Sequence, residues 1–147
     1  MFKSKKIILT ALALTVLLSV VALGLELNSR WYGKGSGSTV PPIPTPNPKL
    51  IYPFHEWKGD IARSEFFGVW IDEDNDGYGN FRGNVEWTSV KYIAKCKGKW
   101  TWMDPKGYLI PMGTFEMYFN FKTKKCEGKW LNTHNQDSGG IEGERIE

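Results

Sequence analysis

The residues best placed to do chemistry form an acidic run, Asp72-Glu73-Asp74-Asn75-Asp76-Gly77. In such a pattern alternate carboxylates converge on a Ca²⁺ ion, and the glycine permits a sharp turn. A helical calcium loop would also need Glu at the twelfth position, where this chain has Gly83. The pattern therefore favours a calcium loop within a β-hairpin, with a solvated acidic turn as the alternative. The predicted ligands are Asp72, Asp74, Asp76, the Tyr78 carbonyl and Asn80.

Residues that would support catalysis are few. The chain has only two histidines, His55 and His134. His55 and Glu56 begin like a zinc-protease motif, but Gly59 stands where the second histidine belongs. Glu56 and Asp60 would serve glycoside hydrolysis only if the fold set them at the correct separation. We expect no catalytic residue and no enzyme activity, with a small exported hydrolase as an alternative.

The chain has two cysteines, Cys96 and Cys126. An oxidising compartment would favour a disulfide between them. In a simple antiparallel meander, however, they would lie on strands separated by a third, about 9.6 Å apart, beyond the bridging limit of roughly 7 Å. The predicted disulfide therefore requires stacked units or facing sheets.

The N-terminus has the pattern of a membrane-targeting helix. Three lysines, Lys3, Lys5 and Lys6, precede an uncharged apolar run at residues 7–25. As a helix this run would be about 28 Å long, close to the hydrocarbon thickness of a bilayer, and the lysines would keep its N-terminus inside. We predict that residues 1–27 are a single-pass membrane anchor, or a signal peptide if Ala22-Leu23-Gly24 is a cleavage site. The C-terminal domain would then lie outside the cell, or be secreted.

Residues 28–49 have the composition of a linker. Gly33-Lys34-Gly35-Ser36-Gly37-Ser38 is typical of a flexible segment, and the five prolines between Pro41 and Pro48 favour polyproline II. We predict that this linker holds a domain of residues 50–147 away from the membrane.

The charge of the chain is divided unevenly. The whole chain has a net charge of +3, but residues 50–147 hold 13 basic and 15 acidic residues. A net negative domain lacks the phosphate neutralisation on which nucleic-acid binding depends, so we expect no nucleic-acid partner.

A 30-residue spacing runs through the C-terminal part. Gly-x-Trp occurs at Gly68-Val69-Trp70, Gly98-Lys99-Trp100 and Gly128-Lys129-Trp130. The same interval relates Cys96 to Cys126, and it relates Gly83, Gly113 and Gly143. We interpret residues 66–147 as three copies of one unit.

Within each unit apolar and polar residues alternate, as in β-strands. Clusters of turn-forming residues separate the alternating segments. We therefore predict an all-β antiparallel fold of about six strands, forming a barrel, a sandwich or an open sheet.

We predict a binding or structural function for the β-domain. Without catalytic residues, the domain is best interpreted as a non-catalytic module for binding or envelope structure, with a surface protein or a polysaccharide as partner. Carbohydrate or wall-polymer binding would use exposed rings. The candidate rings are Trp57, Trp87, Tyr92 and Tyr118. For Trp70, Trp100 and Trp130 we favour a place in the core.

Overall fold

The structure, a computed structural model, describes residues 27–46, 48–72 and 77–146. Eight antiparallel strands follow one another around a closed barrel, and β8 pairs with β1 to close it. The strands are β1 (Ser29–Gly35), β2 (Glu56–Ala62), β3 (Glu65–Ile71), β4 (Tyr78–Trp87), β5 (Ile93–Met103), β6 (Leu109–Asn120), β7 (Lys125–Asn132) and β8 (Ser138–Ile146). The predicted all-β antiparallel fold is confirmed and takes the form of a barrel, but the predicted number of about six strands is wrong.

The two strands that lie outside the predicted units are β1 and β2. β1 falls within the predicted linker of residues 28–49, yet it pairs with β2 on one side and with β8 on the other. Alternate residues of both strands face the interior, where Trp31, Trp57 and Ile61 are buried. The barrel therefore includes residues 29–35, which the composition of the segment assigns to a linker.

The turns of the barrel alternate between its two ends. One end, which we call the Asn28 end, has Asn28 and the turns at 63–64, 88–92 and 121–124. The opposite end, the Phe54 end, has the described residues of segment 36–55, Asp72 and Gly77 at the connection between β3 and β4, and the turns at 104–108 and 133–137. Each described connection between two strands therefore lies at one of these two ends.

The predicted membrane span, residues 7–25, lies outside the described residues. Within residues 27–46, 48–72 and 77–146, no helix is long and apolar enough to cross a membrane. The membrane attachment of the chain therefore stays a prediction.

Large aromatic rings fill the barrel. Trp70, Trp100 and Trp130 are fully buried, which confirms their predicted place in the core. Neighbouring rings meet edge to face, with centroids 6.0 Å apart for Trp70 and Trp100 and 5.6 Å apart for Trp100 and Trp130. Phe54 lies in the segment before β2 and enters the interior at the Phe54 end. Its ring centroid lies 4.9 Å from that of Phe81. Because these side chains occupy the interior, the outer surface is the place where a ligand could bind.

All three tryptophans make the same type of hydrogen bond. Each indole Nε1–H donates to a backbone carbonyl two strands further around the barrel. The pairs, with N···O distances, are Trp70 to Thr101 (2.9 Å), Trp100 to Leu131 (3.0 Å) and Trp130 to Ser36 (2.9 Å). The polar edge of each buried ring is therefore satisfied without water.

A glycine lies beside each of the three accepting carbonyls. At Gly79, Gly113 and Gly139, a Cβ atom would overlap the oxygen that accepts the indole hydrogen bond. Gly79, Gly113 and Gly139 are not spaced 30 residues from one another, because the chain from tryptophan to paired glycine is four residues longer in the β5–β6 hairpin than in the β3–β4 and β7–β8 hairpins. Gly83, which does follow the 30-residue spacing, lies opposite Gly98 rather than opposite a tryptophan. The interpretation as three copies of one unit stays a prediction.

We predict that Trp100→Phe destabilises the barrel by about 1–3 kcal/mol. The substitution keeps an aromatic ring in the core but leaves the Leu131 carbonyl without its donor. Urea unfolding of the full chain measures the effect. Tyr108→Phe, at a side chain that is 66% exposed, is the control and should change stability by less than about 0.5 kcal/mol. Equal stability of the two variants would contradict the role of the indole hydrogen bond.

Candidate functional site

The four predicted ligand-binding rings are distributed between the core and the surface. Trp57 is only 3% exposed and its Nε1–H donates to the Lys34 carbonyl at 3.3 Å, so the prediction of an exposed ring is wrong there. Trp87 is half-buried against Phe121, with ring centroids 5.1 Å apart. Tyr92 and Tyr118 are exposed. Only the two tyrosines therefore present a ring to solvent as expected.

Tyr118 belongs to a small charged cluster on the outer face of β5 and β6. Its hydroxyl donates to Glu116 Oε1 at 3.1 Å, and Lys95 Nζ lies 3.6 Å from the same oxygen. Lys95 Nζ also lies 5.3 Å from the centroid of the Tyr118 ring. The hydrogen bond to Tyr118 is the main cause that raises the pKa of Lys95. Partial desolvation raises the pKa of Glu116, but the Tyr118 hydrogen bond and the Lys95 charge outweigh it and lower that pKa overall.

A groove of about 880 Å³ crosses the outer surface near Tyr118. Its lining residues come mainly from strands β5 to β8 and β1 to β3, and it includes the line along which β8 closes on β1. Its lining combines two exposed tyrosine rings with charged side chains of both signs. Two tyrosines and three charged residues lie among the lining residues: Tyr32, Tyr118, Lys34, Glu127 and Glu142.

Tyr118 and three charged residues of the groove lie in a row across successive strands. Tyr118 is paired with Glu127, Glu127 with Glu142, and Glu142 with Lys34. At a strand spacing of about 4.8 Å, the row from β6 to β1 is roughly 14 Å long. Two glutamates directly opposite each other destabilise a sheet. The pair Glu127 and Glu142 is thus a feature that stability alone does not explain.

The structure describes three of the five predicted calcium ligands, since Asp74 and Asp76 lie outside the described residues. Asp72 is 4% exposed, and its Oδ1 is buried with no hydrogen-bond partner among the described residues. The other carboxylate oxygen lies against Gly77, where a Cβ atom would overlap it. Tyr78 is the first residue of β4. Asn80 lies further along that strand, and its Oδ1 accepts a hydrogen bond from Thr101 Oγ1 at 2.7 Å, so this oxygen already has a partner.

The two cysteines are buried and unbonded. Cys96 on β5 pairs with Met117 and Cys126 on β7 pairs with Phe119, so β6 lies between them. The predicted disulfide is therefore absent, because the two cysteines lie on strands separated by a third, as expected for a simple meander. Burial raises the pKa of each thiol to about 12, with a contribution from the Glu127 charge at Cys126.

The remaining candidate catalytic groups do not come together. His134 lies in the β7–β8 turn with Nε2 2.8 Å from the Pro111 carbonyl oxygen. Asp60 forms an ion pair with Arg30 at 3.0 Å, whereas Glu56 lines the groove. Among the described residues, no three His, Cys, Asp or Glu side chains form a group that could hold a metal ion.

No protein-family model matches the chain, and no curated protein matches it in sequence.

We predict that both cysteines resist alkylation in the folded protein. At pH 8 a thiol with a pKa of about 12 is almost entirely protonated, and the thiolate is the reactive form. Iodoacetamide followed by mass spectrometry should show no adduct in native buffer and two adducts in about 6 M guanidinium chloride. Rapid modification of either cysteine under native conditions would contradict the buried, unbonded state.

Proposed function

We propose that the chain is a membrane-tethered, non-catalytic binding module that holds a hydroxyl-rich polymer, such as a wall polysaccharide, in the outer groove of its barrel. The tether is the predicted span at residues 7–25, and a secreted domain would result if the leader were cleaved. A filled interior directs ligand binding to the outside of the barrel. The groove supplies the concave outer surface that such a ligand needs.

The opposed carboxylates Glu127 and Glu142 carry this proposal. A carboxylate accepts hydrogen bonds and cannot donate them, so two of them side by side favour a ligand rich in O–H donors. Donation from ligand hydroxyls would also reduce the repulsion between the two charges. Tyr32 and Tyr118 flank the pair with rings that are 44% and 38% exposed. Such rings pack against the apolar faces of sugar units while their hydroxyls bond to water or, for Tyr118, to Glu116.

We predict that Tyr32→Ala and Tyr118→Ala each weaken polysaccharide binding about threefold to tenfold. The estimate takes the contribution of one packed ring as about 0.5–1.5 kcal/mol. A depletion assay with insoluble cellulose, chitin and peptidoglycan measures the bound fraction of the full chain in detergent. Glu127→Gln should also weaken binding while stabilising the barrel by about 0.2–1 kcal/mol, because it removes the like-charge repulsion with Glu142 and leaves the pair of Glu142 and Lys34 in place.

The matched control is Tyr108→Ala. Tyr108 is more exposed than Tyr32 and Tyr118, but it lies in the 104–108 turn at the Phe54 end, away from the groove. The control should bind as the wild type does. The proposal fails if none of the three polymers depletes the wild-type chain, or if the groove variants and the control bind equally.

We also propose that Ca²⁺ binds at the 72–77 turn, with Asp72 as a ligand. Burying an ionised carboxylate without a partner is costly, and a cation beside Oδ1 would compensate that cost. Carboxylate oxygens are the ligands that Ca²⁺ prefers, and extracellular modules bind it with Kd values of about 10⁻⁴–10⁻³ M. Asp74 and Asp76 would supply further ligands, whereas the engagement of Asn80 with Thr101 argues against a role for its side chain.

We predict that Ca²⁺ stabilises the wild-type barrel by about 2.7 kcal/mol at a hundredfold excess over its Kd, and that Asp72→Asn abolishes the effect. Thermal melts with Ca²⁺ and with a chelator measure it. Asp104→Asn is the control, because it removes the same charge from a turn at the same end of the barrel. There the carboxylate oxygen Oδ1 already accepts hydrogen bonds from the Lys106 and Tyr108 N–H groups. An unchanged wild-type melt would leave the acidic run as an ordinary turn.

A further inference from the structure

The two ends of the barrel have opposite charge. The three turns at the Asn28 end contain four basic residues and no acidic one: Arg63, Lys91, Lys122 and Lys124. All four are exposed. The described residues of the loops at the Phe54 end include three acidic side chains, Asp72, Asp104 and Asp137, and two basic ones, Lys49 and Lys106. On the strands next to the Asn28 end, Asp60 and Glu65 are paired with arginines at 3.0 Å and 2.7 Å, so they do not cancel the charge of the turns.

Exposed apolar side chains lie among these cations. The 88–92 turn presents Val90, which is 61% exposed, and Tyr92, which is 41% exposed. Thr88 holds this turn in shape, because its Oγ1 accepts from the Val90 N–H at 3.2 Å and donates to the Ile93 carbonyl at 2.8 Å. The turn is joined to the next one by the Phe121 N–H, which donates to the Tyr92 carbonyl at 2.9 Å. The apolar tip is therefore displayed by an ordered structure.

The chain enters the barrel at the same end. Leu27 is buried, and Asn28 Oδ1 accepts a hydrogen bond from the Arg63 N–H at 3.3 Å. β1 begins at Ser29, so only residues 26–28 separate it from the predicted span at 7–25. Three extended residues cover at most about 11 Å. A barrel attached so closely to a membrane helix has to keep this end near the bilayer, in contrast to the spacer predicted from the composition of residues 28–49.

We propose that the Asn28 end is a docking surface for anionic lipid headgroups on the outer face of the membrane that the N-terminal span crosses. Lys91, Lys122 and Arg63 face the lipid phosphates, and Val90 and Tyr92 enter the interfacial layer. Tyrosine is enriched at this depth, and clustered basic residues are attracted by anionic lipid surfaces. The acidic Phe54 end then points away from the membrane. This inference rests on the predicted span and is independent of what the groove binds.

Site-specific fluorescence on the full chain in lipid nanodiscs tests the proposal. Val90→Cys is labelled with the environment-sensitive dye NBD; the native cysteines are buried and should not react. Discs of phosphatidylcholine alone are compared with discs that also contain phosphatidylglycerol. NBD at position 90 should emit at shorter wavelength in the anionic discs, and salt at about 1 M should reverse the shift because the Debye length falls to about 3 Å. NBD at Tyr108→Cys, at the opposite end, should show no shift.

Charge reversal identifies the residues responsible. Lys91→Glu and Lys122→Glu should each reduce the membrane-docked fraction about fivefold or more, since each basic residue near an anionic surface contributes about that factor. Lys106→Glu, in the 104–108 turn, changes charge equally at the other end and should have no effect. Circular dichroism of each variant confirms that the barrel is folded.

Three results would overturn the proposal. The first is equal NBD emission at positions 90 and 108. The second is a shift at position 90 that is the same in both lipid compositions. The third is failure of the full chain to insert into discs, because the span would then not hold the barrel at a bilayer. Polysaccharide binding is measured separately in detergent, so its loss leaves these results unaffected.

Discussion

A buried indole brings one N–H group to a place that water does not reach, and an acceptor has to come from the protein. In this barrel the acceptors are main-chain carbonyls two strands away, and glycine has to stand beside them for the ring to fit. The third acceptor, Ser36, immediately follows β1. This third hydrogen bond thus depends on the closure of β8 on β1, and the groove lies on the outside of that closure.

Much of the fold could be predicted from the sequence, because alternation of apolar and polar residues determines which face of a strand is buried. The same alternation was present in β1, where Trp31 and Gly33 face inward while Tyr32 and Lys34 face outward. Its glycines favoured a linker instead, since glycine is typical both of flexible chains and of strands packed against large rings. Composition could not separate these cases without the partner rings of neighbouring strands.

The candidate site was less predictable, because it depends on which strands become neighbours. Sequence placed Trp57 and Tyr118 in one set of candidate rings, but register puts the first inside the barrel and the second outside. The opposition of Glu127 and Glu142 requires the β7–β8 register, and the neighbouring Lys34 requires the closure between β8 and β1. The acidic run at residues 72–77 could be found directly because its spacing is local.

Pairing between β1 and β8 also constrains the order in which the chain can fold. Trp31 and Arg145 are partners across the closure although more than 100 residues separate them. Contacts of such long sequence separation form slowly because they close a large loop. In the proposed export the N-terminus stays inside and the residues after the span cross in chain order, so β1 would emerge long before β8, and its exposed edge would need protection from other chains until then. The proposed export of this barrel would therefore depend on factors that bind an unpaired strand.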